Sequence, residues 1–474
     1  MKKNIYLIFT GLIFLFIASC TKNFEEINSN PNNPDRAPLT NVFAYIIQNM
    51  SAKYGTTEME YAGSYVGYVT KGSYTDVTRY VASPSSSIWN GVYSTTLRNS
   101  NFVIEEAEKE GNKNLQAATM ILKAYGLQLV TDIYGKVPYS EAGKANDDII
   151  HPKYDSEEYI YNDLLSQLEI ANDMLEDKAE AGLLGDGDLL YGGDILKWKK
   201  FCNSLHLRMA IRISNVNPDK AKSEISKILS DPAKYPVFES NEDNAFIEYP
   251  GGDWIEPWTA RHSSIGDDWA AKPIVDVLVD YNDPRIAYYI AAKPDGTYEG
   301  LAVGQELDKL YSRLNDLFIK NPTGRVYFMK YAEIELIKAE AAQRGFVSLD
   351  AKEAYEAAIT ASCKEYGIID SDISTYLQGE KVAYKNDLTQ IYMQKWIALF
   401  RQSWEAWAEM RRTDIPTLPP AVSSAHTGHN RVPFRFSYPD DEKKLNSSNI
   451  PADVNEVDNY WGYQIWWDTR KDVK

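Results

Sequence analysis

From residue 326 to residue 367 the chain reads VYFMKYAEIELIKAEAAQRGFVSLDAKEAYEAAITASCKEYG. Two helical stretches are legible in it. The first runs from Val326 to Arg344 and stops at Gly345; the second runs from Leu349 to Tyr366 and stops at Gly367. A glycine just past the last periodic residue supplies the left-handed conformation that closes a helix. Ala339 lies in the first stretch, and Ala351, Tyr355 and Ala358 are spaced along the second. Small alanines there let two helices approach closely, and the tyrosine fills the space between neighbouring pairs.

That Ala-x3-Tyr-x2-Ala spacing belongs to a tetratricopeptide repeat. No 34-residue period is sustained, but further helices are readable on both sides. Thr40 to Tyr54 forms the first, and Ile88 to Glu110 and Leu115 to Thr131 follow. Asp155 is placed to cap the next, with Glu158 closing a capping-box-like pair, and Ile160, Leu164, Leu168, Ala171 and Leu175 recur at helical spacing. Ile195, Trp198, Cys202, Leu205, Met209 and Ile213 share one face of another. Asn217-Pro218 opens one more, with a capping side chain and a proline at the first helical position. A short helix is expected near Pro273 to Tyr281 and a long one over Leu388 to Arg412. Gly55 to Ser87, Pro232 to Thr323 and the tail from Pro416 read as irregular. The fold class is therefore mainly α, with tetratricopeptide-repeat-like helix pairs packed against a loop-rich irregular half.

Composition narrows the function. The net charge of −17 disfavours nucleic acid and anionic surfaces as partners. Beyond Cys20 only Cys202 and Cys363 remain, too few for a disulfide framework, and both fall in helical patterns as small buried apolar residues. The histidines are scattered, and His426 and His429 lack the companions of a zinc site. Asp186-Gly187-Asp188 lacks the later ligands of a calcium loop and reads as a turn. No cofactor or metal is expected. The chain is rich in Tyr and Trp, 33 and 11 against 15 Phe; such rings join a flat apolar face to a hydrogen-bonding edge, a chemistry suited to sugars, although most belong in the core.

The N-terminus gives an address. Lys2 and Lys3 precede an apolar run from Ile5 to Ala18, and Ala18-Ser19 leads into Cys20. This is the pattern of a lipoprotein signal over residues 1–19, too short to span a bilayer comfortably. Cys20 then carries the lipid, and the Asn- and Pro-rich residues 20–38 form a tether to one folded domain over 39–474.

The order of short motifs resembles that of SusD-like (SusD/RagB type) nutrient-binding outer-membrane lipoproteins. The motifs are Asn23-Phe24-Glu25-Glu26-Ile27-Asn28 with Asn30-Pro31-Asn32; Asp132-Ile133-Tyr134-Gly135 with Val137-Pro138-Tyr139; and Tyr191-Gly192-Gly193-Asp194 with Trp198 and Asn203-Ser204-Leu205. Then come Asn282-Asp283-Pro284-Arg285, Tyr331-Ala332-Glu333, Gln394-Lys395-Trp396, Glu405-Ala406-Trp407 and Arg411-Arg412-Thr413. The resemblance implies four tetratricopeptide-type helix pairs and a role as a lid that captures oligosaccharides or other nutrients outside the cell. It also implies a partner, a TonB-dependent outer-membrane transporter (SusC-like), attachment to the outer membrane by lipid alone, and no catalysis. The motifs themselves read as scaffold, with Trp198, Trp396 and Trp407 as core residues.

A glycan site needs exposed rings and a few fixed polar groups on loops. Two stretches offer them: one containing Tyr65, Tyr68, Tyr74, Asp76, Arg79 and Tyr80, the other Trp254, Trp258, Arg261, His262, Asp268 and Trp269. Three tryptophans within sixteen loop residues are expected to be hard to bury together. Candidate contacts are Trp254, Trp258, Arg261, Asp268, Trp269, Tyr74, Arg79 and Tyr80. Two alternatives are a glycoside hydrolase, with Asp253, Glu256, Asp267 and Asp268 as candidate carboxylates, and a peptide-binding helical scaffold.

Overall fold

The computed structural model describes residues 37–81, 86–178, 182–451 and 460–474. The leader, Cys20, the tether as far as residue 36 and the motifs between Asn23 and Asn32 lie outside the described residues.

Helix α1 (Leu39–Thr57) does not stop near Tyr54 but continues through a π-helical segment, Glu58–Ala62, to Tyr65. The expected loop from Gly55 is thus helical for its first third. Tyr61, Ala62, Gly63, Ser64 and Tyr65 are all buried, so the segment is packed on every side and shows no amphipathic period. Helices α2 (Arg98–Glu110), α3 (Lys113–Tyr134), α4 (Glu157–Met174), α5 (Ile195–Arg212) and α6 (Pro218–Ser230) then pack serially, each on the next. Their starts follow from side-chain acceptors: Asn112, Asp194 and Asn217 each accept a hydrogen bond from an amide of the first turn. At α4 the cap is Ser156, not Asp155; the Asp155 carboxylate instead accepts the Ser140 amide at 2.7 Å.

The irregular half carries α7 (Pro257–Ile265), α8 (Lys272–Asp280) and short strands. Strands β1 (Val69–Thr70), β5 (Trp269–Ala270), β6 (Ile290–Ala291) and β7 (Arg313–Leu314) form a small antiparallel sheet in the order β1-β5-β7-β6. Strands β2 (Val137–Pro138) and β3 (Tyr154–Asp155) pair, as do β4 (Ala245–Glu248) and β8 (Arg325–Met329). The stretch expected as helix from Val326 therefore begins as strand, because β4 supplies a partner some eighty residues upstream.

After β8 come α9 (Tyr331–Gln343), α10 (Ala351–Lys364), a helix not foreseen, α11 (Asp370–Leu377), and α12 (Leu388–Ala398) and α13 (Ser403–Thr413). The α9–α10 pair shows the predicted contacts: Ala339, Tyr355 and Ala358 are fully buried in one cluster, and the Tyr355 hydroxyl donates to the Val382 carbonyl at 2.8 Å. The single long helix expected over 388–412 is two, broken where Arg401 takes φ +73°. Both cysteines are buried and unbridged, and burial pushes the Cys363 thiol up to about 11.

Most of the short motifs converge on a buried ionic spine. Arg208 binds Glu333 through two bonds of 2.7 and 2.6 Å. Arg212 reaches Glu409 at 2.7 Å and also Glu405, while Arg412 grips Glu340 with two 2.7 Å bonds and Lys395 sits 2.9 Å from Glu409. Nearby, Asp283 chelates Arg285, and Asp132 accepts from Tyr161 and Trp467. These residues are almost fully buried. Helices α5, α9, α12 and α13 are thereby fixed to one another by paired charge as well as by apolar contact.

Candidate functional site

The two stretches singled out in the sequence meet. Strand β1 pairs with β5, placing Thr70 opposite Trp269, and the loop after β1 folds onto the residue before β5. The hinge of this contact is Asp267. Its Oδ1 accepts the Gly72 amide at 2.9 Å and the Trp269 indole N–H at 3.0 Å, and its Oδ2 accepts the amides of Ser73 and Tyr74 at 2.9 and 2.8 Å. Burial pushes this carboxyl up, but the four donors outweigh it and hold the group below its usual range. Gly72 is needed for the approach, since a Cβ there would stand 2.9 Å from the Trp269 indole nitrogen.

One ring is left out in solvent. Tyr74 is 65% exposed while its backbone is pinned by Asp267. Beside it, Arg79 donates to the Gly304 carbonyl at 2.7 Å and pairs with Glu306 at 3.1 Å, and the Leu307 amide donates to the Gly72 carbonyl at 2.8 Å. The 304–311 segment, which sequence reading did not single out, thus borders the loop and adds exposed Leu307 and Leu310. Its only signal was a pair of leucines and Tyr311 in an otherwise polar run.

The remaining candidates are placed unequally. Trp269 is buried, with the Arg313 guanidinium 4.4 Å over its ring. Asp268 is buried, its oxygens 3.0 Å from His262 Nδ1. Arg261 is half-buried and pairs with Glu60 at 2.7 Å. Trp254 is half-buried against Tyr249, at the tip of a Gly251–Trp254 turn beyond the other end of α7 from Trp269.

Two expectations are corrected. Trp258 has no exposed surface: Pro257 starts α7 there, so the ring turns inward, and the Arg401 guanidinium covers it at 4.1 Å. Tyr80 is 2% exposed, packed against Tyr65 and Trp461, and its hydroxyl accepts the Ala421 amide. Tyr65 and Tyr68 are likewise core. The three tryptophans of 254–269 are accommodated after all, because α7 and β5 give two of them a wall to pack against.

The carboxylates considered for hydrolysis are mostly committed to structure. Glu256 caps α7 through the Thr259 amide at 2.9 Å and pairs with Arg401 at 2.7 Å. Asp267 and Asp268 are held as described, and Asp253 is exposed. Among the described residues no His, Cys, Asp and Glu side chains gather into a group that could hold a metal, and no helix is long and apolar enough to cross a membrane.

The described residues thus form a helical array joined by buried ion pairs, with Tyr74 exposed on a clamped loop. Residues 31–439 match a SusD-like family model described as "Starch-binding associating with outer membrane", and the chain belongs to that family. Among solved structures, a chitin-binding protein shares 29% identity at TM-score 0.80, covering 91% of this chain and all of its own. A chitin-binding SusD homolog from Flavobacterium johnsoniae shares 25% at TM-score 0.79, over 91% of this chain and 99% of its own. A SusD homolog from Bacteroides uniformis shares 26% at TM-score 0.79, over 91% and 98%. No curated protein sequence matches.

Proposed function

We propose that this protein captures an oligosaccharide or polysaccharide at the outer face of the outer membrane and delivers it to a TonB-dependent, SusC-like transporter. In this reading residues 39–474 act as one nutrient-binding domain, held to the membrane by a lipid on Cys20 through the 20–38 tether. Tyr74 carries the reading. A flat ring, 65% exposed on a loop whose backbone is already fixed, can stack on a pyranose face without first being ordered. Arg79 borders the same loop and supplies hydroxyl partners; Trp254 offers a second, separate contact. Trp269, Asp268 and Arg261 act from behind, by holding the loop and its neighbours in place. The chitin binding named for two similar structures and the starch binding named for the family support trying chito-oligosaccharides and then malto-oligosaccharides as ligands.

The test is a titration of purified protein against a broad glycan panel containing both series, followed by tryptophan fluorescence and calorimetry, with Tyr74→Ala and Trp254→Ala alongside. Binding by the wild type and its loss in Tyr74→Ala is the expected result. Failure of every glycan, or unchanged binding in both variants, sinks the site, and shortened products after prolonged incubation would point to hydrolysis. For the partner, purification from mild-detergent membranes should bring down a large β-barrel, and Cys20→Ala should keep glycan binding in solution while losing delivery in cells.

A further inference from the structure

A cavity of about 630 Å³ opens within the helical array, between α2, α3 and α4. Its lining is mixed: apolar Ile104, Met120, Leu127 and Met174 lie among polar Asn101, Gln116 and Gln167. At its rim Tyr159 and Ile170 are about half exposed. The volume lies in the range of small-molecule sites, which are mostly apolar with a few placed polar groups.

The polar groups here are unusual for so acidic a protein, since Lys123 and Lys144 line the cavity against one carboxylate, Asp163. Asp163 is already engaged, accepting the Tyr139 hydroxyl at 2.5 Å. Lys123 rises from the middle of α3 and, among the described residues, donates to Asn101 Oδ1 alone, at 2.8 Å. Among the described residues neither lysine has a carboxylate within ion-pair distance. Burial pushes the Lys123 ammonium below its usual range; Asp163 opposes the shift and Lys144 adds to it. Two ammoniums here share one carboxylate that neither touches at ion-pair distance, and an anionic group arriving there supplies the missing partner.

We propose that this cavity is a second ligand site, separate from the loop face, for an amphiphilic monocarboxylate. The apolar body lies against Ile104, Met120 and Met174, and the carboxylate pairs with Lys123, with Lys144 at the entrance. Neutral sugars offer the two ammoniums no counter-charge, so the two sites prefer different ligands.

The probes are octanoate and 4-phenylbutyrate, with 4-phenylbutanamide as the neutral counterpart, titrated by calorimetry into the full-length protein. Either carboxylate should bind saturably, and 4-phenylbutyrate at least tenfold more tightly than its amide. Lys123→Met should erase that preference while glycan titrations stay unchanged, which separates this site from the loop face. Ile104→Trp, at a half-exposed position, fills the cavity and should abolish both carboxylates with the melting temperature retained. Absence of saturable binding, equal affinity for acid and amide, or wild-type carboxylate affinity in either variant overturns the proposal.

Discussion

Carboxylates do opposite work in the two halves of this molecule. In the helical half Glu333, Glu340, Glu405 and Glu409 face arginines across helix interfaces and make the scaffold stiff. On the loop face Asp267 faces no cation at hydrogen-bonding distance among the described residues; it collects three backbone amides and an indole and makes a shape. The first arrangement joins elements that are regular anyway. The second orders a stretch with no repeating structure of its own, and it is there that the Tyr74 ring is left exposed.

If the spine is a structural lock, breaking it is the most damaging single change. Arg212→Met leaves Glu405 and Glu409 short of a partner in a site with no exposure, and should cost about 3–5 kcal/mol. A drop of several degrees or more in melting temperature checks this; an unchanged melt removes the spine from the account. Next comes a carboxyl that the spine does not serve. Among the described residues Glu58, in the π-helical segment, has no hydrogen-bond partner on either oxygen; burial pushes it up to about 8, although Arg401 lies 3.6 Å away.

Because the folded protein holds that proton longer than the unfolded chain, stability should fall as pH rises from about 4.5 to 8, at up to about 1.4 kcal/mol per unit. Glu58→Gln should flatten the slope in denaturation curves taken at pH 5, 6.5 and 8. A slope unchanged in the variant assigns the titration to another group.

Asp267→Asn tests the loop face. It keeps the size of the side chain but replaces an acceptor oxygen with a donor, setting it against one pair of amides. We expect a loss of about 1–2 kcal/mol in stability and about tenfold in glycan affinity. Equal affinity would mean that the clamp does not shape the site. Smallest in stability, at about 0.5 kcal/mol or less, is Tyr74→Ala, since the ring touches mostly water. Its effect should appear only in glycan titration, and a lowered melt would show that the ring is structural.

The same division explains what could be read in the chain beforehand. Asn217-Pro218, Asp194 and the Ala-Tyr-Ala spacing act over a turn or two, so the helices they start or pair are visible locally. Where a distant partner decides, the reading failed: β8 needs β4, the break at Arg401 serves contacts with Glu256 and Glu58, and the 58–65 segment is buried all round. Four of the family motifs, through Glu333, Lys395, Glu405 and Arg412, landed on the spine and so located scaffold. The two candidate stretches turn out to be neighbours, but nothing in the sequence says that Asp267 would reach amides 195 positions earlier, or that Trp258 and Tyr80 would turn inward.

The clamp also bears on how such a protein can change over generations. Asp267 contacts residues 72–74 through their main chain alone, so it places no demand on the side chain at position 74. Tyrosine can be exchanged for tryptophan, histidine or a small residue there without disturbing the anchor. If position 74 meets the ligand as proposed, preference is free to drift one surface residue at a time, while the fold that carries it stays as it is.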